Sequence, residues 1–196
     1  MNKKELQRRD SNKRIVDAAL VEFSKNNYQV ATLTDIAVRA DVSKGLVTLR
    51  FGSKAGLFLE LVKEVCSKEL VFPEKKIGTF NAAILEIVAY SKYLAKEKPL
   101  AARFLYMFLD CIDSIPDDSR ELMKNHLMTH RAMPFFSAEH KAGRLNKHFD
   151  AYGLLCIFLS SCLSLSIATV NAQVDFLEDK DYLVMLPLIL NPKKKK

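Results

Sequence analysis

Glycine and proline are scarce in this 196-residue chain, at six each, and neither clusters. An all-β fold needs many tight turns, so the shortage argues against one and favours long helices with few connections. Cysteine is scarce as well. Cys66, Cys111, Cys156 and Cys162 show no CxxC spacing, and no histidine stands beside them at ligand distance. That pattern fits buried, reduced thiols rather than a zinc site or a disulfide framework. His126 and His130 stand four apart on one helix face, but without a third ligand in sequence no metal is expected. A nucleophile elbow, a phosphate loop and a cofactor motif are all absent, so neither an enzyme nor a bound cofactor is expected. Met1–Arg14 is polar throughout, which gives no secretory signal and leads to the expectation of a cytoplasmic protein.

Charge is distributed unevenly. Residues 1–54 carry eleven Lys or Arg against six Asp or Glu, and 193–196 are four lysines. Residues 55–192 carry fifteen against seventeen. A basic head and tail flanking a near-neutral body suggest one surface that faces a polyanion. The longest uncharged run is Ala151–Val174, long enough to cross a membrane. Its serines, Thr169, Asn171 and Gln173 dilute the hydrophobicity, so a helix covered by protein on every side, part of it by a second subunit, is the expected reading.

Helical spacing organises the first sixty residues. After a basic lead-in, Arg8–Arg14, the residues Ile15, Ala18, Ala19 and Phe23 recur on one face of a helix that fades at Asn26-Asn27. Thr32 followed by Asp35 forms a capping-box pattern before a short helix that buries Leu33, Ile36, Ala37 and Ala40. Asp41 tolerates the left-handed backbone of a tight turn, and Ser43 can cap the next helix, Lys44–Arg50, with Val47 and Phe51 inward. A fourth helix from Ser53-Lys54 buries Leu57, Phe58, Leu61, Val62 and Val65. Two short helices joined by such a turn make a helix-turn-helix, over about residues 33–52. Longer helices are expected at about 77–96, 99–112, 117–132 with an extension past Pro134, 150–173 and 179–190. Pro134 should break or kink its helix, and Gly143 marks a stop.

This layout points to DNA. A helix opening with Ser43, Lys44 and Gly45 offers free backbone N–H groups to phosphate, and Gly45 permits close approach. Thr48 can meet a base or a thymine methyl, and Arg50, if it faces the groove, can bond guanine. Lys54 is placed for a phosphate, while Arg8, Arg9, Lys13 and Arg14 could reach an adjacent groove.

Ile15–Lys63 resembles the DNA-binding head of the TetR family of bacterial transcriptional regulators. The likeness rests on Ile15-Val16-Asp17-Ala18-Ala19 with Phe23, on Thr32 with Asp35-Ile36-Ala37, on Val42-Ser43-Lys44-Gly45, and on Phe51-Gly52-Ser53-Lys54 before Leu57-Phe58. Three departures stand out. Asn26-Asn27 replaces a glycine between the first two helices, Asp41 replaces the turn glycine, and Thr48-Leu49 replaces the family's usual aromatic pair. The resemblance implies an all-α fold: a DNA-binding domain at 8–72, an effector-binding and dimerisation domain at 75–192, and a basic tail at 193–196. It also implies a homodimeric, sequence-specific regulator, most often a repressor, on a pseudo-palindromic operator, with Thr32, Ser43, Lys44, Gly45, Thr48, Arg50 and Lys54 at the DNA. A small, largely apolar ligand between the body helices is implied as well, and Tyr90, Tyr93, Phe104, Met107, Phe108 and Cys111 are its candidate contacts. The same aromatics serve equally as core packing. The alternative is a DNA-binding regulator with no small-molecule effector, controlled by a protein partner. The uncharged helix supplies the expected dimer seam, Leu155, Leu159, Cys162, Leu163 and Ser166, with Leu183, Leu186 and Ile189 completing it.

Overall fold

The computed structural model describes residues 2–71 and 77–173. The described residues form α-helices and no β-strand, so the all-α expectation holds. In order they are α1 (Lys3–Val30), α2 (Leu33–Arg39), α3 (Lys44–Phe51), α4 (Lys54–Glu64), α5 (Phe80–Glu97), α6 (Pro99–Asp110), α7 (Asp117–Met128), α8 (Met133–Lys141) and α9 (Ala151–Ala172). A π-helical turn, Val65–Glu69, follows α4, and a 3₁₀ turn, Ile112–Ser114, follows α6. The expected final helix at 179–190, with Leu183, Leu186 and Ile189, and the lysine tail lie outside the described residues.

The chain divides into two compact units. One takes Met1–Val71 with Arg103–Lys124, the other Phe72–Ala102 with Asn125–Lys196. Compactness therefore follows a different line from the boundary expected near residues 72–75, since Arg103–Lys124 joins the first unit. The reason is aromatic packing. Phe58 of α4 meets Phe104 at 5.6 Å and Phe108 at 6.1 Å between ring centroids, and also touches Phe23 and Tyr28. Each such pair contributes about 0.5–1.5 kcal/mol beyond the area it buries. Cys66 Sγ lies 3.9 Å from Met123 Sδ in the same unit, and burial pushes its thiol up to about 12.

In the first unit, Ile15, Ala18, Ala19 and Phe23 of α1 are buried with Ile36, Ala37, Val47, Leu57, Phe58, Leu61 and Val62, as their spacing predicts. One expectation fails at the start of α1. Arg8–Arg14 is not a lead-in but part of the helix, which begins at Lys3, where Asn2 Oδ1 accepts from the Lys4 N–H at 3.0 Å. Lys, Glu, Leu, Gln and Arg are strong helix formers, and this capped run of them needs no buried face to extend the helix. At its other end α1 is interrupted at Asn27, whose φ is 54°. Asn27 Oδ1 accepts from the N–H groups of Gln29 and Val30, so one residue breaks the helix and caps the turn after it.

In the second unit α5, α8 and α9 pack together. Thr79 caps α5 by accepting from Ala82 N–H, and Asp150 caps α9 by accepting from Gly153 N–H. Phe80 meets Phe136 at 5.3 Å, joining α5 to α8. The helix expected over 117–132 stops at Met128, and Pro134 sits in the first turn of α8 rather than inside a kinked helix. Proline has no N–H to lose in a first turn. Gly143, at φ 69°, ends α8, with Gly143 N–H bonding His140 O and Arg144 N–H bonding Glu139 O.

Candidate nucleic-acid interface

The helix-turn-helix is assembled from short-range bonds. Thr32 Oγ1 accepts from Asp35 N–H at 3.1 Å and donates to Asp35 Oδ2 at 2.6 Å, which caps the start of α2. At its end Asp41 adopts φ 53°, Asp41 N–H bonds Val38 O, and Val42 N–H bonds Ala37 O. This closes the helix as a glycine would, which explains why Asp serves in the turn. Ser43 Oγ then accepts from Leu46 N–H at 3.1 Å and opens α3.

Two further contacts hold this pair in place. Arg14 Nη1 donates to Ala40 O at 3.1 Å, at the C-cap of α2. Buried Glu22 pairs with Arg39 Nε at 2.5 Å and accepts from Asn26 Nδ2 at 3.0 Å. Arg14 thus fastens α2 to α1, which removes it from the set of side chains free to reach a groove.

The join between α3 and α4 depends on glycine. Gly52 has φ 74° and ψ −58° with Ser53 N–H bonding Phe51 O, a tight turn hostile to side chains. At Gly56 a Cβ would stand 2.2 Å from the Phe51 carbonyl oxygen, so nothing larger fits without moving the backbone. Gly45 is the opposite case. Among the described residues a Cβ there would meet only Ser43 Oγ at 3.9 Å, so none of them requires a glycine at that position.

The expected contact residues fall into three groups. Lys44, Gly45 and Thr48 are exposed together on α3. Thr32 and Ser43 are exposed as well, but their hydroxyls serve as helix caps. Arg50 is half-buried and its Nε is enclosed without a hydrogen-bond partner. Lys54 is half-buried, donating from Nζ to Gln29 O at 3.0 Å and standing 4.7 Å from the centre of the Tyr28 ring. Burial lowers the pKa of this ammonium from its ordinary value. The residue that sequence reasoning passed over is Leu49, 78% exposed in the middle of α3. Its i+4 spacing from Gly45 was the available signal.

Residues 15–61 match the model of the bacterial regulatory proteins of the tetR family. The likeness to that family is thus carried by the head. The HTH-type transcriptional regulator YvkB of Bacillus subtilis is 28% identical over 131 residues, which is 62% of this chain and 68% of that protein. A TetR-family transcription regulator from Shewanella sp. PV-4 superposes with a TM-score of 0.67 at 15% identity, covering 92% of this chain and 98% of its own. FadR of Bacillus subtilis, solved with stearoyl-CoA, gives 0.55 at 17% identity, covering 88% of this chain and 96% of its own. The two solved structures speak for the TetR-type fold.

Outside the TetR-type head the expected site residues scatter. Phe104 and Phe108 are buried against Phe58, Met107 is buried in the same unit, and Cys111 is half-buried there beside Asp110. Tyr90 belongs to the other unit, buried against His130 with ring centroids 6.0 Å apart, while Tyr93 is 46% exposed. His130 accepts through Nδ1 from Ala132 N–H, and burial, then His126 and Arg131, push its pKa down to about 4. Among the described residues no His, Cys, Asp or Glu cluster suits a metal. The expected seam residues Leu155, Leu159, Cys162, Leu163 and Ser166 are all buried within the chain itself. This corrects the seam: helical periodicity finds the apolar stripe of α9 but not what covers it. Among the described residues, the less covered side of α9 carries half-buried Ile157, Ser160 and Ser161 and exposed Ser164 and Ala168.

Proposed function

We propose that the protein is a homodimeric TetR-type repressor that binds a pseudo-palindromic operator and is released by a small, largely apolar ligand. The observation that carries the reading is the exposed stretch Lys44, Gly45, Thr48 and Leu49 on a helix held rigidly by Ser43, Asp41 and Arg14. Lys44 is the phosphate contact, and half-buried Arg50 would have to turn outward to reach a base. A cytoplasmic location goes with DNA binding.

The second subunit would lie on the open side of α9. That side has no charge, and the Ser161 and Thr169 hydroxyls donate to carbonyls of their own helix, at Ile157 and Leu165, both at 2.8 Å. Hydroxyls satisfied in this way can be covered by an apolar partner at little cost. The effector reading draws support from FadR, a protein of this fold solved with stearoyl-CoA. Tyr90 stands in the second unit with His130 and the Glu86–Arg131 pair, polar anchors of the kind ligand sites use. The effector-free alternative draws support from Phe104 and Phe108, which are packed against Phe58, and from exposed Tyr93.

The test is selection of bound fragments from genomic DNA with the purified full chain, followed by titration at two salt concentrations. A repressor of this kind recovers an inverted repeat, and the genes beside it guide a thermal-shift screen for the ligand. Fragments without shared sequence would defeat the operator reading. A compound that raises the melting temperature but leaves the operator bound would defeat the release reading.

A further inference from the structure

Gly45, Thr48 and Leu49 stand at i, i+3 and i+4 on α3 and form one exposed face. That face has no charge and a single hydrogen-bonding side chain, the Thr48 hydroxyl. Leu49 is the large side chain at its centre, 78% exposed. Arg50, the residue suited to guanine, is half-buried with its Nε enclosed. The exposed part of this helix therefore offers methyl groups rather than a guanidinium.

We propose that Leu49, with the Thr48 methyl beside it, selects thymine in the operator half-site by packing on the thymine C5-methyl group. This rests on the operator-binding reading above. The C5-methyl is the one apolar group on the major-groove edges of the four base pairs, so it is what a leucine in that groove can recognise. Gly45 fits the same purpose. No contact among the described residues demands a glycine there, yet a bare backbone one turn before Leu49 lets α3 lie deep enough for a short aliphatic side chain to touch the base edge. Lys44, beside this face at the first position of α3, supplies a phosphate contact that fixes the depth.

Thymine-to-deoxyuridine exchange isolates the claim, because it removes the methyl and leaves every hydrogen-bonding group in place. The probe is the tightest duplex recovered from a random-sequence pool by the full chain, with each thymine replaced singly. Loss of one buried methyl corresponds to about fourfold weaker binding, expected at one or two thymines per half-site. Leu49→Ala should lose a comparable factor on the parent duplex and become indifferent to deoxyuridine at one of those positions. Thr48→Ser, which keeps the hydroxyl and loses the methyl, should do the same at a neighbouring position or at none. Melting curves of both variants should match the parent, since the two side chains are exposed. A parent protein indifferent to deoxyuridine everywhere overturns the proposal, as does a Leu49→Ala variant that keeps the whole deoxyuridine penalty. Recovery of no sequence from the pool instead overturns the operator reading, and this proposal with it.

Discussion

In the head, each helix end is closed by a neighbour along the chain: Thr32 by Asp35, Asp41 by Val38, Ser43 by Leu46. In α9 the apolar stripe Leu155, Leu159, Cys162 and Leu163 is closed by helices from elsewhere in the sequence, α5 and α8. The head's bonds depend on residue type at a fixed offset, so their effect is confined and specific. The α9 contacts depend on shape and apolarity alone, which many partners satisfy equally well. That is why one expectation located the turn residues correctly, while another assigned a buried stripe to a second subunit.

The largest expected effect separates the two sides of α9. Leu163→Arg places a charge at a fully buried position and should cost about 4 kcal/mol, read by urea unfolding. Ser164→Arg, on the exposed side, should keep the helical spectrum while the light-scattering mass falls to that of one chain. A dimeric Ser164→Arg protein would move the seam off this side.

Two glycines sharpen the contrast within the head. Gly56→Ala should lose about 3 kcal/mol, because its methyl would collide with the Phe51 carbonyl 2.2 Å away. Gly45→Ala should not lower the melting temperature, and helix propensity would favour it by up to about 1 kcal/mol. Its operator affinity should fall nonetheless. Equal melting losses in the two variants would mean that Gly45 has a structural role not visible in its surroundings.

A third test concerns His130 in the second unit. Its pKa is lowered to about 4 from an ordinary 6.5, so between those values the unfolded chain binds more protons than the folded one. Stability is present above pH 6.5 and is lost as the pH falls toward 4. The share lost between pH 7 and pH 5 is about 2 kcal/mol. His130→Gln should flatten that part of the unfolding profile. An unchanged profile would show that the imidazole is better solvated than its burial implies.

The smallest effect belongs to the phosphate contact. Lys44→Ala should weaken binding on all duplexes alike and reduce the salt slope by about 0.9 per half-site. Loss confined to the selected operator would make Lys44 a base reader.

Much of the head was legible before any fold was known, and the misses there have physical causes. Asp41 was read as a left-handed residue because its short polar side chain tolerates positive φ, and it adopts φ 53°. Lys54 was read as a phosphate ligand from its place at a helix start. Its partners, Gln29 O and the Tyr28 ring, come together only when the end of α1 folds against α4. Arg14 was read as able to reach an adjacent groove, and its bond to Ala40 O forms only when α2 folds against α1. The aromatics of α6 were read as candidate ligand contacts with core packing as the equal alternative, and their partner, Phe58, was not legible.

The sequence by itself determined that the chain is helical, where the turns of the helix-turn-helix lie, and which faces are apolar. Each of these follows from interactions between residues a few positions apart. Tertiary structure decided that Leu49 is exposed while Arg50 and Lys54 are half-buried, which side of α9 the other described helices cover, and that Phe104 and Phe108 belong with the head. Those outcomes depend on which surfaces meet first and fit best, and apolar side chains carry no label for their partners.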